Sequence, residues 1–113
     1  MDLIKLSALE IAKAIEGGDT TCEAVTRSLL ERIEEREPDV DAWEYLDPDA
    51  ALAAAKVLDN SQSDGLIHGV PVGVKDIFDT ADMPTTDGTE IHKKNPSLND
   101  CTVVSKLKQA GAV

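Results

Sequence analysis

Leu66-Ile67-His68-Gly69-Val70-Pro71-Val72-Gly73-Val74-Lys75-Asp76 is the stretch on which the reading of this 113-residue chain turns. Val70, Val72 and Val74 alternate with Pro71, Gly73 and Lys75, the period of two expected of a strand with two different faces. Lys75 and Gly73 then share the face opposite the valines. A lysine near glycines suggests a phosphate loop, but that motif needs glycine directly before the lysine and a hydroxyl residue after it. Here Val74 precedes Lys75 and Asp76 follows it, and a carboxylate at that point repels phosphate. Two readings stay open: Lys75 as a base, or Lys75 as a strand-end lysine reaching solvent and pairing with Asp76 or Asp79. A base must be neutral. From a lysine's reference value of about 10.4, that takes roughly 4–5 kcal/mol of desolvation or neighbouring positive charge.

Upstream of this stretch the pattern is helical. Ser7-Ala8-Leu9-Glu10 fits a capping box, with the serine oxygen and the glutamate carboxylate satisfying free amides at a helix start. Ala8, Ile11, Ala12 and Ile15 fall on one stripe, and Gly17-Gly18 supplies the stop. Thr20-Thr21-Cys22-Glu23 repeats the capping logic for a second helix with Cys22, Val25, Leu29 and Ile33 on one face. Glu31, Arg32, Glu34, Glu35 and Arg36 form its solvated side, and Pro38 marks its end. Ala42-Trp43-Glu44-Tyr45-Leu46 reads as a short strand whose aromatic rings pack. Asp47 then caps a third helix with Pro48 at its first position, and Ala51, Ala54, Ala55 and Leu58 make a slim apolar stripe. Asn60-Ser61-Gln62-Ser63-Asp64-Gly65 is a turn-rich link.

Downstream, residues 77–99 show little periodicity and contain Pro84, Gly88 and Pro96, which predicts an ordered loop. Asn99 or Asp100 caps a last helix with Val103, Val104, Leu107 and Ala110 facing inward and Gly111 ending it; Ala112-Val113 then begins a further strand. Three amphipathic helices need a sheet to cover, and the two or three short strands available make a poor one. The expected fold class is therefore α/β, helices packed on a sheet most of whose strands lie outside this chain. A piece with such open strand edges is expected to be partly unfolded or self-associated when expressed alone.

Composition sets the outer limits. Hydrophobic residues make up 42% and charged residues 29%, as in a folded soluble domain, and aromatics only 3%, so the core is aliphatic. A formal net charge of −11 disfavours direct contact with nucleic acid or an anionic membrane. No apolar run approaches the roughly 20 residues of a bilayer span, and the N-terminus lacks the pattern of a signal peptide, so a cytoplasmic location is expected. Cys22 and Cys101 have no metal-ligand spacing and are read as free, half-buried thiols.

The stretch 66–76 resembles the lysine segment of the amidase signature family. The resemblance continues through Asp79-Thr80-Ala81-Asp82-Met83-Pro84-Thr85-Thr86, and through Asn99-Asp100, Val103-Val104, Leu107 and Ala110-Gly111-Ala112-Val113. Upstream, the helix pair, the Ala42 segment and the Ala-rich helix are similar to the family's opening, so nearly the whole chain is covered. The resemblance implies the N-terminal part of an α/β/α amidase-signature fold with helices on a mixed sheet, truncated. Residues 1–113 would be a fragment of one amidase domain: a helical opening at 7–59, the lysine strand and loop at 66–99, and a helix at 100–111.

The implied activity is hydrolysis of a carboxylic amide C–N bond by a Ser-cisSer-Lys mechanism, with Lys75 as the catalytic residue and neither metal nor organic cofactor. In that mechanism the lysine acts through a second serine to activate a serine nucleophile. Both serines would lie in a Gly/Ser-rich segment beyond Val113, and Ser97 and Ser105 are given no such role; nor do His68 and His92 have one. The implied partner is a small amide substrate, with a homo-oligomer or the other components of an amidotransferase as alternative protein partners. The rival readings are the glutamine-hydrolysing A subunit of a tRNA-dependent amidotransferase and an inactive amidase-like fragment; the isolated chain is expected to be inactive. Asp87-Gly88-Thr89 and Asp100-Cys101 depart from the family's usual wording, which bears on the loop and not on Lys75.

Overall fold

The computed structural model describes residues 1–62, 65–93 and 97–113. Two compact units are formed, Met1–Val72 with Ala110–Val113, and Gly73–Gln109. The link residues 63–64 and the loop residues 94–96 lie outside the described set.

In the first unit a single 3-10 turn (Leu3–Lys5) leads into α1 (Ala8–Glu16). Ser7 closes the full capping box: its backbone N–H donates to Glu10 Oε2 at 2.7 Å while the Glu10 N–H donates to Ser7 Oγ. Gly17 caps the other end, and Gly18 follows at φ 76°, a left-handed conformation that costs glycine nothing. Thr21 caps α2 (Cys22–Val40) through a bond from the Ala24 N–H. Asp47 caps α3 (Pro48–Asp59) in the same way from Ala50, with Pro48 at the first helical turn as its sequence predicts.

The core of this unit joins Ile11, Val25 and Val70, flanked by Leu3, Leu6, Ala12, Ile15, Leu29 and Ile67. Cys22 and Val25 are completely enclosed, and removing a valine side chain from water contributes about 1.5–3 kcal/mol. The expected faces of α1 to α3 are therefore present, except that Ala8 and Ala54 stand exposed. Cys22 is more deeply buried than expected. Burial first, and then the neighbouring Asp59 carboxylate, push its thiol up to about 12, which makes it an inert packing group. Cys101 is half-buried and also free, as read from the sequence.

Asp59, the last residue of α3, places its carboxylate over the start of α2 and accepts the N–H groups of Cys22 at 2.6 Å and Glu23 at 3.0 Å. Two orphan amides and the positive end of the helix dipole thus meet one anion. Burial opposes ionisation here, but the Glu23 amide and then the Cys22 group outweigh it and hold the carboxyl below its ordinary range. Because the folded chain binds this proton more weakly than the unfolded chain, the contribution is complete above about pH 4–5 and is lost as pH falls through the folded value. Asp59→Asn is expected to cost about 1 kcal/mol at pH 7. In urea titrations that difference from the parent should shrink toward zero in strong acid; a pH-independent difference would contradict the charge assignment.

Several expectations need correction. Pro38 does not end α2, which runs to Val40 and closes with Asp41 at φ 49°, its N–H donating to Glu37 C=O at 2.9 Å. Proline removes one bond, the one to the Glu34 carbonyl, at a solvent-exposed helix end where water can replace it. Residues 42–46 form no strand, and Trp43 and Tyr45 are exposed at 39% and 40% instead of packed. Alternation specifies a strand only where a partner edge exists, and these residues find none among the described ones.

Nor do residues 70–74 build a sheet. They make one parallel exchange: the Val113 N–H donates to Val70 C=O and the Val72 N–H to Val113 C=O, both at 3.0 Å. Pro71, opposite Val113, carries no N–H, so it suits a position whose hydrogen bonds fall to its two neighbours. Gly69 N–H to Gly111 C=O (2.8 Å) and Ile67 N–H to Ala110 C=O (3.2 Å) extend the contact. Among the described residues there is thus the start of a parallel pairing, and no mixed sheet. His68 is buried at 6% exposure with Nε2 3.2 Å from Leu58 C=O, a packing and hydrogen-bonding duty.

Candidate active-site segment

The second unit carries Lys75. Gly73 and Lys75 are exposed and Val74 is half-buried, the alternation of faces that the sequence predicts. The chain then turns at once: Lys75 C=O accepts the N–H of Ile77 at 2.7 Å and of Phe78 at 3.1 Å. Lys75 reaches solvent. Among the described residues it forms no ion pair with Asp76 or Asp79, because Asp76 is engaged elsewhere.

That engagement is with Thr86. The Asp76 carboxylate accepts the Thr86 N–H at 2.7 Å through Oδ1 and the Thr86 hydroxyl through Oδ2. The Thr86 hydroxyl first, and then its amide, hold the Asp76 carboxyl below the usual range. The Asp76 C=O in turn accepts the Asp87 N–H at 3.0 Å. Thr85 adds a third tie, its hydroxyl donating to Phe78 C=O at 3.2 Å. Thr85 and Thr86 are both buried, at 9% and 2% exposure. Asp87 at φ 51° and Gly88 at φ 72° then make the bend that returns the chain, one that aspartate and glycine tolerate better than branched residues.

The other described residues of the loop make similar local bonds. Thr80, 3% exposed, donates its hydroxyl to Met83 C=O (3.1 Å) and accepts the Met83 N–H (3.2 Å). A single 3-10 turn spans Glu90–His92. The last helix, α4 (Thr102–Gln109), starts later than expected, its first bond running from Ser105 N–H to Cys101 C=O. Asp100 does not cap it. Its carboxylate accepts the Ala81 N–H at 2.8 Å and meets Lys108 Nζ at 2.9 Å, while Lys108 also reaches Asp82 at 3.3 Å. The Ala81 amide and then Lys108 lower the Asp100 carboxyl, and Asp100 chiefly raises the Lys108 ammonium. Val104 is the buried residue of α4 and Leu107 is half-buried, whereas Val103, expected inward, is 49% exposed.

Lys75 lies at the end of an extended segment and at the beginning of a turn held by the Ile77 and Phe78 amides. The serines 97 and 105 serve other ends, Ser97 bonding locally to Asn99. Sequence reading missed the Asp76–Thr86 tie, since nothing in the spacing of an aspartate and a threonine ten residues apart announces a bond.

Residues 24–113, which span the extended lysine segment, the cross-tied loop and α4, match the model of the Amidase family. The chain belongs to the amidase signature family. It is 41% identical over 113 residues to the protein named "Putative amidase AmiD" of Mycobacterium tuberculosis, covering 96% of this chain and 24% of that one. It is 40% identical to the A subunit of the glutamyl-tRNA(Gln) amidotransferase of Acidothermus cellulolyticus, covering 99% of this chain and 23% of that one. Among solved structures, the native peptide amidase of Stenotrophomonas maltophilia superimposes with a TM-score of 0.86 at 28% identity, over 96% of this chain and 23% of that one. Fatty acid amide hydrolase gives 0.92 at 26% identity, over 98% and 20%. The chain spans about a quarter of the length of the curated relatives it matches.

Proposed function

We propose that residues 1–113 supply the lysine of an amide-hydrolysing site, and that the complete protein cleaves a carboxylic amide C–N bond by a Ser-cisSer-Lys mechanism. The observation that carries this reading is Lys75 standing exposed at the end of its extended segment, within the span that matches the family. Its neutral amine would take a proton, through a second serine, from the attacking serine; backbone amides would steady the oxyanion. A lysine in water is protonated at neutral pH, so the remaining three quarters of a protein of the relatives' length would have to desolvate Lys75. On this reading residues 1–113 are part of one domain, and the isolated chain is inactive.

A second reading has its own support. Identity to the amidotransferase relative, at 40%, nearly equals identity to the amidase relative, at 41%. On that reading the complete protein would hydrolyse glutamine and pass ammonia to a partner protein in the cytoplasm. One assay separates the cases. The complete protein is expected to release amine or ammonia from simple carboxylic amides without a partner, and residues 1–113 alone to release none. Glutamine turnover that appears only with a partner protein would favour the second reading. Turnover by residues 1–113 alone, abolished by Lys75→Ala, would overturn the requirement for the rest of the protein.

A further inference from the structure

We infer that Asp76 and Thr86 are positioning residues for Lys75: a charged clamp across the base of the loop that fixes the backbone from which the lysine side chain projects. The inference rests on the reading of Lys75 as the base and deepens it. Three features of the second unit carry it.

The first is chemical fit. A carboxylate can only accept, and it meets two donors from one residue, the N–H and the O–H of Thr86, one on each oxygen. An asparagine at this position would offer one acceptor oxygen and turn an NH2 group toward the other donor. The requirement is therefore for a carboxylate, and not for any polar residue. Second, the clamp is anchored on a rigid side: Thr86 is 2% exposed and its neighbour Thr85 bonds Phe78 C=O. Charge-assisted bonds to a buried anchor are about twice as strong as neutral ones.

Third, the clamp closes a ring around the turn that begins at Lys75. Lys75 C=O is held by the amides of Ile77 and Phe78, Asp76 by Thr86 and Asp87, and Phe78 C=O by Thr85. Every peptide plane directly after Lys75 thus has a fixed partner, whereas the exposed lysine side chain makes no hydrogen bond or ion pair among the described residues. An exposed, flexible side chain delivers its amine accurately only if its main chain does not move. The ionised state of Asp76 agrees with this geometry, since both Thr86 donors favour the anion.

The test uses the complete protein and an amide it hydrolyses. Asp76→Asn and Thr86→Val are each expected to lower kcat by about 10- to 100-fold, the scale of a misplacement of about 1 Å at a reacting group, with KM changed less than about threefold. Thr86→Ser keeps both donors and is expected to restore kcat to within about threefold of the parent. A purely structural role would instead show as a lower thermal midpoint with unchanged kcat per folded molecule, and would overturn the inference. So would a kcat unaffected by Thr86→Val, or a failure of Thr86→Ser to rescue. Lys75→Ala separates the two levels: if it leaves turnover intact, the base reading itself is wrong, whereas loss with Lys75→Ala and none with Asp76→Asn refutes the clamp alone.

Discussion

Lys75→Ala in the complete protein is expected to lower kcat by about 10²–10⁴-fold, the usual contribution of a positioned general base, while leaving the fold intact. Both halves of that expectation have a physical basis. Removing the amine removes the acceptor for the nucleophile's proton, and no other described lysine or histidine of the second unit sits at the end of the extended segment to replace it. Stability should barely change, by less than about 0.5 kcal/mol, because Lys75 is exposed and makes no ion pair among the described residues, so its loss strands no partner. Lys75→Arg is expected to be as inactive as alanine, since a guanidinium stays protonated at any working pH. Steady-state kinetics and a thermal scan on the same preparations decide the matter. Turnover within about threefold of the parent in the alanine variant would remove Lys75 from the chemistry.

What could be read in the sequence divides along a physical line. The helix starts at Ser7, Thr21 and Asp47 were legible because a cap and the amide it satisfies lie within three residues of each other. The buried faces of α1 and α2 were legible because periodicity is also local. The bonds that organise the unit interiors were not: Asp59 reaches Cys22 across 37 residues and Asp76 reaches Thr86 across 10, and side-chain type at such distances carries no pattern. Residues 42–46 and 70–74 show the limit from the other side. Alternation there is real, but a strand exists only with a partner, and among the described residues Val113 alone supplies one, to Val70 and Val72. Lys75 stands out by its position and takes a role only from the family resemblance; Asp76 reads in the sequence as a charge that repels phosphate or pairs with Lys75, and not as a partner of Thr86.

The same division between local conformation and distant packing makes Gly69→Ala a damaging small change in the first unit. Gly69 combines two demands. Its φ of 76° lies in the left-handed region, where an L side chain costs about 1–2 kcal/mol. A Cβ at that position would also run into Cys22 Sγ and lie 2.7 Å from Ile15 Cδ1, the first fully buried and the second half-buried against the core. Overpacking of that kind costs about 1–3 kcal/mol more, so the total is about 2–5 kcal/mol. Gly18 provides the control, because it has the same φ of 76° but nothing within 4 Å of its added Cβ. Gly18→Ala therefore measures the backbone strain alone, and the difference between the two variants measures the packing. In urea titrations of the complete protein, Gly69→Ala should unfold at clearly lower denaturant than Gly18→Ala. Equal midpoints would mean that Cys22 and Ile15 move aside freely, which would contradict a core tightly closed around Gly69.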